Sequence, residues 1–83
     1  MKVYVYKEYR DDYAYDEEFI LTFASKEDAE KTLREHVEHF FGKMWDQIPE
    51  ELEEQDTFKN DFVSVPDENG ALFFWIIEEH DLL

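Results

Sequence analysis

The stretch ALFFWIIEEHDL (Ala71–Leu82) decides the architecture. Side chains alternate sides along a strand, so Leu72, Phe74 and Ile76 face one way and Phe73, Trp75 and Ile77 the other. Both rows are large and apolar. A strand with two apolar faces belongs in the middle of its sheet. Its apolar run ALFFWII is seven residues long, far short of a bilayer span.

The neighbouring segments supply the rest of a sheet. Asn69-Gly70 in PDENG (Pro66–Gly70) is a hairpin signal, and DFVSV (Asp61–Val65) is the strand it joins. At the other end of the chain KVYVYKEY (Lys2–Tyr9) alternates β-branched and aromatic residues, placing Val3 and Val5 opposite Tyr4 and Tyr6. EFILTFA (Glu18–Ala24) reads as its hairpin partner, with Phe19, Leu21 and Phe23 on one face. The connection RDDYAYDE (Arg10–Glu17) has no glycine, so a tight primed turn is not signalled.

SKEDAEKTLREHVEHFFGKMW (Ser25–Trp45) is helical. Ser25 suits an N-cap, with Asp28 three residues on resembling a capping box. Ala29, Leu33, Val37, Phe40 or Phe41, and Met44 recur every three or four residues and form one apolar face. Gly42 is a bend or a C-cap. Pro49 suits the first position of a short second helix, whose opening turn then holds Glu50 and Glu51. The expectation is one α+β domain over residues 1–83. It has a ββαββ order and a four-stranded mixed sheet, with one long helix on one face and a short acidic helix. The expected strand order is 2-1-4-3, with strands 1 and 4 parallel. One helix covers one face only, leaving Tyr4, Tyr6, Ile20 and half of the last strand on an open face.

Composition bounds the function. A chain of this size buries only about 60–65% of its unfolded surface. Its 18% aromatic content compensates, since aromatic side chains bury much area each, and it argues against a disordered acidic chain. The formal charge is -15, from 23 acidic and eight basic residues. Binding naked nucleic acid needs Lys and Arg to neutralise phosphates. An anionic membrane surface is disfavoured for the same reason. The chain has no cysteine, so thiolate chemistry is excluded. MKVYVYKEY lacks the apolar core of a signal peptide, and a cytoplasmic location is expected.

No cofactor or metal is expected. His36 and His39, with Glu35 and Glu38 beside them, lack both HExxH spacing and an evident third ligand. The EF-hand loop pattern is missing from DDYAYDEE and PDENG. With two serines and two glycines, neither a nucleophile motif nor a phosphate-cradling loop stands out. A non-enzymatic protein is expected.

What remains is the acidic surface. IPEELEEQDTF (Ile48–Phe58) concentrates Glu50, Glu51, Glu53, Glu54 and Asp56 around Leu52, and Asp11 and Asp12 add a second acidic set. Acids at i and i+4 on a helix lie about 6 Å apart. Alternate acids on a strand lie about 6.5–7 Å apart, similar to successive phosphates. Repulsion among these carboxylates should raise their folded-state pKa, so that stability climbs as pH falls from 7 towards about 5. The expected role is a small binding or inhibitor protein that mimics nucleic acid and occludes a basic, nucleic-acid-binding protein. Tyr13, Tyr15 and Trp45 join the acids as partner-binding residues. In size and charge the chain resembles nucleic-acid-mimicking inhibitors of the anti-CRISPR and anti-restriction kind, though no diagnostic motif carries over. An immunity or antitoxin protein against a nuclease toxin, a homodimer formed through the open sheet face, and a merely solubilising acidic surface are the alternatives.

Overall fold

The computed structural model describes residues 1–12, 15–66 and 72–81. Strands β1 (Lys2–Asp12) and β2 (Tyr15–Phe23) form a hairpin, followed by helix α1 (Lys26–Phe41). A 3-10 helix (Trp45–Glu51) and the two-residue strand β3 (Thr57–Phe58) lead into β4 (Phe62–Pro66) and β5 (Leu72–Asp81). The strands form one sheet in the order β2-β1-β5-β4-β3, and every neighbouring pair is antiparallel.

The class is α+β as expected, and the first and last long strands are central neighbours. Two details differ. The sheet has five strands rather than four, and β1 and β5 run antiparallel, not parallel. One cause explains both. The short β3 pairs Thr57 with Ser64 and Phe58 with Val63, adding one reversal between α1 and β4. That extra reversal inverts the direction of both following strands relative to β1.

Register assigns the faces. Glu8 lies opposite Phe19 on β2 and Trp75 on β5, and Trp75 lies opposite Val63 on β4. This row and its alternates (Tyr6 with Leu21 and Ile77; Arg10 with Phe73) face α1. The core is Tyr6, Ala29, Leu33, Val37, Ile48, Val63, Trp75 and Ile77. Tyr6 is therefore fully buried under the helix, and Tyr4 shares its face and packs against the core, so neither lies on the open face. The helix stripe of Ala29, Leu33 and Val37 is fully buried in the same core as the Tyr6 and Trp75 rings. The open face instead carries Val3, Val5, Lys7, Tyr9, Ile20, Phe62, Phe74 and Ile76.

Helix α1 starts where its sequence signals, with Ser25 in extended backbone, but the Ser25 hydroxyl makes no cap bond. At the other end Gly42 is the C-cap, with φ 67° and its N–H donating to the Glu38 carbonyl at 2.8 Å. Pro49 sits inside the 3-10 helix rather than opening an α-helix. Continuing as an α-helix would bring Glu50 beside Glu53 and Glu54, a repulsive spacing. The chain leaves the turn at Leu52 instead, in extended backbone. Asn69-Gly70 and Tyr13 lie outside the described residues. Among the described residues no helix is long and apolar enough to cross a membrane.

Candidate functional site

The predicted acidic segment hangs from two anchors. Ile48 is fully buried, and Leu52 packs half-buried against the core. Between and beyond them Glu50, Glu51, Glu53 and Glu54 are exposed. Lys43 pairs with Glu51 at 3.0 Å, whereas no described cation pairs with Glu50, Glu53 or Glu54. Asp56 differs from the others. Its Oδ2 accepts the Glu53 N–H at 2.9 Å, while the Asp56 N–H donates to the Glu53 carbonyl at 3.0 Å. Asp56 thus closes a turn and is half-buried. Its Oδ1 is buried without a hydrogen-bond donor among the described residues.

Sheet register relates this segment to the second acidic set. Thr57, directly after Asp56, shares a cross-sheet row with Ser64, Phe74, Tyr9 and Glu18. Asp11 and Asp12 follow two and three residues beyond Tyr9 on β1, with Tyr15 opposite Asp12 on β2. Both acidic sets therefore lie at the same end of the sheet. Three strand spacings separate β3 from β1, about 14 Å.

Between them, on the helix side, lie two hollows. The one against the acidic segment is a cavity of about 270 Å³ lined by Phe40, Phe41, Glu51, Glu53, Asp56, Val65, Pro66 and Phe73. Its rim is carboxylate and its floor aromatic. The adjoining cavity, about 440 Å³, shares Phe40 and Phe73 and is completed by Glu8, Tyr9, Arg10, Phe19, His36 and Trp75. The Arg10 guanidinium lies over the Phe73 ring, 5.3 Å from its centroid.

Sequence reading missed a polar cluster in this second cavity. Glu8 Oε2 accepts the Tyr6 hydroxyl at 2.9 Å and meets His36 Nδ1 at 2.8 Å. The His36 ring stacks on Phe19 and meets the edge of Tyr6. Burial, reinforced by the Glu8 carboxylate, pushes the Tyr6 phenol far above its ordinary value. The available signal was Glu8 itself, a carboxylate on the same strand face as Tyr4 and Tyr6. A carboxylate-held imidazole can accept a proton. The other described lining residues of this cavity supply no Ser, Thr, Cys or Lys nucleophile. Among the described residues no group of three or more His, Asp or Glu is placed to hold a metal ion.

Trp45 lies at the start of the 3-10 helix. Its ring centroid sits 4.3 Å from that of Phe58, beneath the Arg34 guanidinium, and the Trp45 backbone N–H donates to Glu38 Oε2 at 2.8 Å. It is half-buried and already engaged on both sides. At the opposite end of the sheet Glu78 and Glu79 are held below the ordinary carboxylate range, by hydrogen bonds from Lys7 and Lys2 respectively. For these two acids the sign is opposite to the expected repulsive shift, because each found a lysine across the strand. A scan against protein-family models and searches of curated proteins and of solved structures found no match to this chain.

Proposed function

We propose that this chain is a non-enzymatic binding protein that docks a basic, nucleic-acid-binding protein at the acidic end of its sheet and occludes the surface it covers. The observation that carries this reading is the hollow beside the acidic segment. Glu51, Glu53 and Asp56 rim a floor made by Phe40, Phe41, Val65 and Phe73. A lysine or arginine side chain is chemically matched to it, with an apolar stem on the rings and a cationic head among carboxylates. Within the chain itself the Arg10 guanidinium already lies over the Phe73 ring.

The surrounding charge supports the same reading. The net charge of -15 steers a basic partner inward and speeds its capture. Glu53 on the rim and its exposed neighbours Glu50 and Glu54 have no described cation to neutralise them, and Asp11 and Asp12 stand at the far side of the same sheet end. Like charges so placed cost stability unless a partner neutralises them. The spacing of such carboxylates resembles that of phosphates, so a groove that binds a nucleic-acid backbone is the complementary surface. Size and charge fit an anti-defence inhibitor carried by a phage or mobile element. An immunity protein against a nuclease toxin would use the same chemistry, and the identity of the captured partner separates the two.

The test is capture from host lysate across a salt series, with Glu50, Glu51, Glu53 and Glu54 changed together to Gln. Asp56 stays, because it closes the Glu53 turn. The reading expects a nucleic-acid-binding partner retained at about 0.15 M salt, displaced by competing nucleic acid and lost in the variant. A partner bound equally by the variant would place the site elsewhere.

A further inference from the structure

We infer that the open face of the sheet is an isologous interface with a second copy of this chain. An antiparallel sheet with one face in water normally alternates apolar and polar residues. Here the alternation fails along β5, where Leu72, Phe74 and Ile76 occupy the side away from α1. Register completes the patch. Ile76 lies in one row with Phe62 on β4, Lys7 on β1 and Ile20 on β2. In the next row Phe74 stacks on Tyr9, with centroids 4.9 Å apart. Ile20 is 50% exposed and Phe62 36%. The molecule is 19 Å across its shortest axis, room for one helix layer on one sheet and no third layer.

The charge pattern selects the occupant. Among the described residues around the centre of this face the charges are Lys7, Glu78 and Glu18; Lys7 bonds Glu78 at 2.8 Å, and Glu18 adds one acid on the β2 edge, two residues from Ile20. A basic partner finds far less charge there than at the acidic end, which is its complement. A second copy presents the same apolar, weakly charged face, and a two-fold axis leaves both acidic ends pointing outward.

The size approaches that of a stable interface. The β1–β5 ladder has ten residue pairs, β1–β2 nine and β4–β5 five. At about 4.8 Å between strands and about 3.4 Å per residue, about eight residues on each of β2, β1 and β5 and the five of β4 give a flat footprint of about 470 Å². Side-chain relief brings that towards the roughly 800 Å² per partner of a standard stable interface. Two such faces stack as a sandwich with about 10 Å between sheets.

Light scattering and sedimentation equilibrium of the intact chain at about 0.1 M and about 1 M salt test the inference. The expected mass is about twice 10.2 kDa, with association tightening as salt screens the repulsion between two acidic copies. Changing Ile20 and Phe62 together to Glu should weaken the dimer at least about 100-fold while the far-ultraviolet circular dichroism is retained. Both positions are exposed enough to tolerate a charge in the monomer, and the salt response of the unaltered chain needs no variant. A 10.2 kDa species at about 100 µM and both salts would overturn the inference. So would a dimer that dissociates in high salt, or one indifferent to the double substitution. Capture of a basic partner at the acidic end is read separately, because Ile20 and Phe62 lie on neither hollow.

Discussion

Replacing Ile48 with Ala tests how the acidic segment is held. Ile48 is the buried residue of the 3-10 helix, with no exposed surface, and it joins the core beside α1. The substitution removes three carbons, about 2.4 kcal/mol at about 0.8 kcal/mol per buried methylene. A cavity term brings the loss to about 3–4 kcal/mol, within the usual range for large-to-small changes in a core. A domain of this size has a total stability of about 4–12 kcal/mol, so about a quarter or more disappears. At about 4–8 °C per kcal/mol, the melting midpoint should fall by about 12–32 °C. Urea titration followed by circular dichroism measures the loss directly, with Met44→Ala as control because Met44 is 66% exposed. The control should stay within about 0.5 kcal/mol of the parent. An Ile48→Ala midpoint equally close to the parent would show that this turn is not docked on the core. The carboxylates of residues 50–54 would then have no fixed geometry to offer a partner.

Two further outcomes follow from local chemistry. Glu79 has its pKa lowered by Lys2, so its contribution is complete above the unfolded value of about 4.3 and is lost as pH falls through the lower folded value. The urea midpoint of Lys2→Met should therefore trail the parent between about pH 6 and 8, with the gap closing as pH falls below about 4.3, and a gap that does not narrow there would contradict this. Gly42→Ala should lower stability by about 1 kcal/mol, because a Cβ meets no atom within 4 Å and only the left-handed backbone objects. An unchanged melting midpoint would mean that the helix end had rearranged.

Local signals carried most of the fold. Period-two alternation located four strands, period 3.6 located α1, and the doubly apolar row of β5 placed it centrally. Ala29, Leu33 and Val37 emerged as the buried stripe that their spacing indicated. The errors came from features without a local signal. A two-residue strand has no period, so Thr57–Phe58 was invisible, and with it went the parity of the following strands. Which face of β1 meets the helix depends on register with Trp75 and Val63, which are distant in sequence. Tyr6 was misplaced for that reason. Pro49 was compatible with two helix types, and like-charge repulsion downstream chose the shorter.

The candidate site was legible as composition and not as geometry. Sequence identified the acids; it could not show that residues 50–56 and residues 11–12 share one end of the sheet. That juxtaposition depends on β3, the element without a signal. Nor could it distinguish Asp56, whose carboxylate closes a turn, from Glu50 and Glu54, which face solvent. The same topology separates two surfaces of opposite character. The acidic end lies beside α1 and the hollows, while the weakly charged apolar face lies on the reverse of the sheet. Screening weakens attraction between the acidic end and a basic partner, yet removes repulsion between two acidic copies. Salt should therefore move the two associations in opposite directions. A single surface serving both purposes could not produce that divergence, so the paired salt response tests whether the sheet divides its two faces between two tasks.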